Sequence, residues 1–179
     1  MTTKILAAFL FLSLPVLARA DSQWVLKQST LTYHVSHPLH EAEGTSHAAR
    51  GKGECHAGEC NFLIAVPVKS FDSGNSNRDL HMLQITRGAQ YPMVIVRIQL
   101  SEKELESPSI QANLNISFAG QNKDYQQVPL KRVAKGNAIE VSGTIPLKCS
   151  DFKITRPELL AMPIKDEVPV NLDTTWVKQ

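Results

Sequence analysis

Six histidines, three cysteines and one short acidic–basic run are the residues of this 179-residue chain whose types could do chemistry. His34, His37 and His40 are spaced by three, and His47 and His56 follow. A metal site needs three or four N, S or O donors converging with set geometry. On a strand His34 and His37 face opposite ways, because side chains alternate across it. His37 and His40 flank Pro38 and could converge in a loop, but no H-x-x-x-H falls on a recognisable helix. The histidines therefore read as exposed or capping residues, and no metal ligand is assigned. Asp72, Arg78, Asp79 and His81 lie close in sequence, and an Asp with a His can form an acid–base pair. Their places in a turn and at a helix start explain them structurally, so Arg78 and Asp79 read as fold-fixing. There is no G-x-S-x-G elbow, no phosphate-binding glycine loop and no C-x-x-C-H haem attachment. No catalytic residue and no cofactor follow, and the chain does not read as an enzyme.

The elements that must position these residues are strands. In FLIAVPV, Phe62, Ile64, Val66 and Val68 fall on one face. In MVIVRIQL, Val94, Val96, Ile98 and Leu100 do the same. That period of two marks half-buried strands. Ile110, Ala112, Leu114, Ile116 and Phe118 give the cleanest alternation, and Ile139, Val141, Gly143 and Ile145 another. Val168, Val170 and Leu172 open the last strand, which runs to Trp176. Earlier, Trp24–Lys27 and Leu31–Val35 read as two short strands. Thr45–Glu54, small and glycine-bearing, is the weakest strand; glycine inside strands marks bulges or sharp coiling. A further strand is expected near Tyr125–Val133, before a hairpin turn at Lys135-Gly136-Asn137. Asp72–Asn75 is a turn. Asn77 reads as the cap of a short helix with Leu80, Leu83 and Thr86 on one face, ended by Gly88. Ser101–Ser109 reads as a loop, and Pro157–Leu160 as a short helical turn. Regular short strands with frequent turn signals predict an all-β fold. The count is about eight strands with one or two short helices.

The run SFDSGNSNRDLHML from Ser70 to Leu83, with Tyr91-Pro92 after it, resembles the signature of the YceI-like family. Trp24, His37 and Gly44 resemble features of its first strands, and Ser150-Asp151-Phe152 with Arg156-Pro157 resembles its C-terminal segment. The resemblance spans essentially residues 21–179. It implies an antiparallel, eight-stranded, lipocalin-like barrel that binds a long apolar ligand: a polyisoprenoid, a prenyl quinone or another long-chain lipid. The expected interior is Ile64, Val66, Val68, Val94, Val96, Ile98, Leu114, Ile116, Phe118, Ile139, Val141 and Ile145, with Val168 and Val170. Alternation alone does not separate a lined tunnel from a packed core; the resemblance favours the tunnel. The alternatives are an interaction module with a filled barrel and a histidine-based metal binder. The Cys55/Cys60 pair and the histidine-rich loop are departures from the family pattern and point to a narrower ligand.

The ends set the compartment. Lys4, the apolar run Ile5–Leu17 and Ala18-Arg19-Ala20 have the form of a signal peptide cleaved after Ala20. The run is too short to span a bilayer, which takes about 20 residues. The whole chain holds 19 Lys+Arg and 17 Asp+Glu; Lys4 and Arg19 belong to the signal, so residues 21–179 carry 17 of each. Nothing resembles the clustered basic surface of a nucleic-acid binder. Export to an oxidising periplasm predicts a disulfide between Cys55 and Cys60 across a hairpin tip. Cys149 is left as a buried or partly buried thiol. Transient membrane contact and a homodimer are both compatible with the sequence.

Overall fold

Alternating apolar residues wind the chain into a closed antiparallel barrel. The structure is a computed structural model and describes residues 21–179; the expected signal peptide, residues 1–20, lies outside the described residues. The strands are β1 (Ser22–His37), β2 (His40–Ser46), β3 (Arg50–His56), β4 (Glu59–Pro67), β5 (Met93–Ser101), β6 (Ser109–Phe118), β7 (Gln121–Lys135), β8 (Ala138–Lys148), β9 (Glu158–Leu159), β10 (Met162–Pro163) and β11 (Glu167–Lys178). Neighbours from β3 to β8 pair in sequence, and β11 pairs with both β8 and β1, which closes the sheet. β2 and β3 form one stave broken at residues 47–49. β1 pairs with β3 through Ser22–Val25 and with β2 through Leu31–His37. The barrel thus has eight staves, and β9–β10 is a separate small hairpin.

The two short N-terminal strands expected from sequence are one strand. Its register against β11 shifts between Leu26 and Gln28. Trp24 and Leu26 are buried before the shift, while Leu31, Tyr33 and Val35 line the interior after it. A bulge changes which parity faces inward, so one strand reads as two. β7 behaves alike: its register against β6 shifts between Ala112 and Leu114, where Gln127 has φ 52°.

One end of the barrel is solid. Phe62 and Trp176 meet edge to face, with centroids 5.1 Å apart and planes at 84°. Trp24, Leu100 and Ile139 are buried in the same core. The glycines of the weakest predicted strand make room for this floor. A Cβ at Gly51 would stand 2.6 Å from the Trp176 ring, and one at Gly53 would stand 2.3 Å from Phe62. The Cys55–Cys60 disulfide is formed across the β3–β4 pair, with both residues buried. Helix α2 (Glu102–Glu106) covers this end through buried Leu105, where the sequence reading placed a loop. Its capping box, Ser101 with Glu104, was legible as S-x-x-E.

The opposite end carries helix α1 (Ser76–Ile85). Asn75, not Asn77, caps it, its Oδ1 accepting from the Asn77 and Arg78 amides. Thr86 is buried, but Leu80 is turned to solvent and the helix packs through Arg78, Met82 and Ile85 instead of through Leu80. The left-handed residue past the helix is Arg87, φ 54°, rather than Gly88. Pro157–Leu160 is not helical. It enters the β9–β10 hairpin, whose tip residues Leu160 and Ala161 have φ 53° and 61°.

Candidate functional site

Above the aromatic floor the barrel is hollow. A cavity of about 770 Å³ opens at the α1 end, within the 300–1,000 Å³ of typical ligand sites. Its wall comes from successive staves: Leu31, Tyr33 and Val35 on β1, Ile64 and Val66 on β4, Val94, Val96 and Ile98 on β5. Leu114, Ile116 and Phe118 follow on β6, Val141 and Ile145 on β8, and Val168, Val170 and Leu172 on β11. Ile64, Val96 and Ile116 stand abreast in register across three adjacent staves of that wall. Of the fourteen interior residues expected from sequence, thirteen border the cavity. Val68 does so from the 3₁₀ turn after β4 rather than from the strand. Ile139 does not; it lies in the core at the solid end.

The mouth is polar in patches. Asn75, Asn77, Arg78 and His81 face it from α1, and His37 and His40 from the β1–β2 hairpin. The turn before α1 is fixed locally. Asp79 Oδ1 accepts from the Ser73 amide at 3.1 Å, Asp72 Oδ1 from the Gly74 amide at 2.7 Å, and Arg78 Nε donates to Ser73 Oγ at 3.1 Å. Where β2 leaves β4, Asp72 fills the gap by pairing with Thr45. Below it the fully buried Ser46 meets Ser70 Oγ at 2.6 Å.

A model of the YceI-like domain matches residues 23–176. The chain belongs to the YceI-like family. No curated protein sequence matches it. Among solved structures, a polyisoprenoid binding domain from Saccharophagus degradans shares 16% identity over 87% of this chain and 98% of its own, with a TM-score of 0.69. BcnA of Burkholderia cenocepacia shares 15% identity over 82% and 95%, also at 0.69. The Campylobacter jejuni YceI protein shares 22% over 66% and 72%, at 0.54. These likenesses show the fold.

In this YceI-like barrel the histidines do different jobs. His37, buried, pairs through Nε2 with the Met162 carbonyl at 2.9 Å, while its Nδ1 accepts from the Leu39 amide at 3.1 Å. It ties the β1–β2 hairpin to the β9–β10 hairpin across the mouth. His40 packs on the His37 ring, with centroids 5.0 Å apart. His34 lies between Glu43 and Asn171. His47 lies against Thr30 and Ser29, and His56 against Asp21. Among the described residues no three His, Cys, Asp or Glu side chains gather as a metal site.

Several mouth residues escaped the sequence reading. Tyr33 lines the cavity and packs at a tilt against Phe71, with centroids 5.7 Å apart; burial, then the Asp79 charge, pushes its hydroxyl pKa up. Tyr125 donates to Asp151 Oδ2 at 2.6 Å, and Lys123 pairs with the same carboxylate at 3.1 Å. That hydrogen bond, ahead of the lysine, holds the Asp151 carboxyl below its usual range, and burial pushes Tyr125 up. Ser150 donates to Asp166 from both amide and hydroxyl, which lowers the Asp166 carboxyl. Together these bonds set the 149–154 turn against the rim. The expected S-D-F segment thus presents Phe152, buried against Phe118, to the cavity. Cys149 is buried beside it, its thiol pushed up by burial and then by Asp166. The chemistry available here is apolar enclosure with a polar rim.

Proposed function

We propose that this chain is an exported, periplasmic binding protein that encloses the tail of a long apolar ligand and makes no bond. The ligand class is a polyisoprenoid, a prenyl quinone or another long-chain lipid. The observation that carries the proposal is the cavity: about 770 Å³, walled by aliphatic side chains and open at one end. Each methylene taken from water contributes roughly 0.8 kcal/mol. Ten of them contribute about 8 kcal/mol before ordering costs, the scale of micromolar binding. The head would rest among Arg78, His81 and the asparagines of the rim. A family relative named for polyisoprenoid binding supports the ligand class. Export is supported by the buried Cys55–Cys60 disulfide, a bond that persists in oxidising compartments. The cavity favours this reading over a filled interaction module, and the scatter of the histidines disfavours a metal binder.

Mass spectrometry of organic extracts from protein purified without detergent tests the proposal. A prenyl or long-chain lipid in stoichiometric amount is the expected result. A clean extract, together with no uptake of an added isoprenol, would sink it.

A further inference from the structure

We infer that Trp176 is the stop that measures the ligand, limiting the enclosed tail to about six isoprene units. The inference rests on reading the barrel as a lipid carrier, and it adds the chain length that the barrel encloses.

The cavity ends at one row of side chains. Leu26, Trp176 and Ile139 stand abreast on β1, β11 and β8. All three are buried, and of them only Trp176 borders the cavity. It is the last lining residue along β11, below Thr174 and Leu172. One row nearer the mouth stand Ser29, Thr174 and Val141, and Gly143 lies opposite Leu172 in the next. These residues are small, so the space stays open down to the indole. Past the indole the core is closed by Trp24, Leu100 and the Cys55–Cys60 disulfide.

The indole is held from several directions. Its Nε1 donates to Thr174 Oγ1 at 3.3 Å, and that hydroxyl donates to the Val141 carbonyl at 3.0 Å. The Phe62 ring meets it edge to face. The β3 backbone also stands so close that a Cβ at Gly51 would lie 2.6 Å from Trp176 Cη2. A tail pressing on this ring meets a fixed stop, because close-packed neighbours resist displacement.

Volume converts to length. An apolar cavity of about 150 Å³ holds one benzene, roughly 25 Å³ for each carbon. At that density 770 Å³ holds about thirty carbons, or about six isoprene units. The mouth is open, so a longer tail still enters. Its excess units stay in water and contribute nothing to binding.

The test is a length series of all-trans isoprenols, from farnesol with three isoprene units to solanesol with nine. Each is delivered from ethanol and competes with a fluorescent isoprenol for the purified chain. Affinity should rise at least about tenfold per unit up to about six units and then level off. Trp176→Leu takes out about six heavy atoms, roughly 150 Å³, and should move the plateau about one unit longer. It leaves no orphaned donor, because the Thr174 hydroxyl keeps the Val141 carbonyl. Val141→Phe adds about four heavy atoms in the row above and should move the plateau about one unit shorter. Should Trp176→Leu not fold, Val141→Phe alone decides. Affinity still rising at solanesol, or a plateau that stays at the native length in a folded variant, would overturn the stop and leave the carrier standing. A plateau set only by isoprenol solubility behaves in the second of these ways. No binding at any length would overturn both.

Discussion

Val96→Phe separates a hollow barrel from a packed one in a single protein. Val96 lies midway along β5, directly between Ile64 and Ile116, and borders the cavity. A phenyl ring there projects into space that a ligand tail would fill. Displacing about four methylenes, at roughly 0.8 kcal/mol each, removes about 3 kcal/mol of binding. That is roughly a hundredfold rise in Kd for an isoprenol. The fold should be indifferent, since the ring enters empty volume. In a filled core the same ring would overpack the interior and cost about 1–3 kcal/mol. The thermal midpoint would then fall by about 2–4 °C for each kcal/mol in a domain of this size. Fluorescent isoprenol titration and thermal unfolding, run side by side, read both quantities. Unchanged affinity with a lowered midpoint would refute the cavity argument outright.

Three further outcomes are expected. Cys55→Ser with Cys60→Ser opens a loop of sequence separation 5 and should cost about 2 kcal/mol by the chain-entropy estimate, read as a lower denaturation midpoint; an unchanged midpoint would remove the disulfide from the account of the floor. Gly53→Val drives a side chain into the Phe62 ring, 2.3 Å from the Cβ position, and should cost roughly 1–3 kcal/mol in chemical denaturation; no loss would mean that the ring yields freely. Asp151 and Asp166 have folded pKa values below the ordinary one, so their stabilisation is present above about pH 4 and is lost as pH falls through the folded values. Asp151→Asn should therefore lower the thermal midpoint at pH 7 and converge with the native chain in stronger acid; midpoints that stay parallel across the range would count against that linkage.

The barrel was legible because its staves alternate cleanly, and the run from Ser70 to Pro92 pointed to the family. What misled were places where one local rule is overridden by another part of the chain. The bulges in β1 and β7 switch parity within a strand, so period-two reading splits β1 and blurs β7. Thr45–Glu54 looked weak because Gly51 and Gly53 gave up their side chains to Trp176, far away in sequence, and to Phe62, across the hairpin on the next strand. Leu80 was assigned to a packed face on helical spacing, yet Asn75 rather than Asn77 starts the helix and Arg78, Met82 and Ile85 meet the cavity. Proline before Glu158 suggested a helix start, but the following residues close a hairpin in left-handed conformations that sequence propensity disfavours. The interior side chains could be named from alternation; that they border a void could not, because a void depends on how far apart opposite staves stand.

The aromatic floor has a consequence for traffic. With Phe62 and Trp176 sealing one end, the tube is a blind alley: whatever goes in tail first must back out head first through the same doorway. If the barrel carries a lipid, donor and acceptor would have to meet the same face of the protein, one after the other. Any one-way flow is then set by what waits outside, since a sleeve with a single opening has no downstream side of its own.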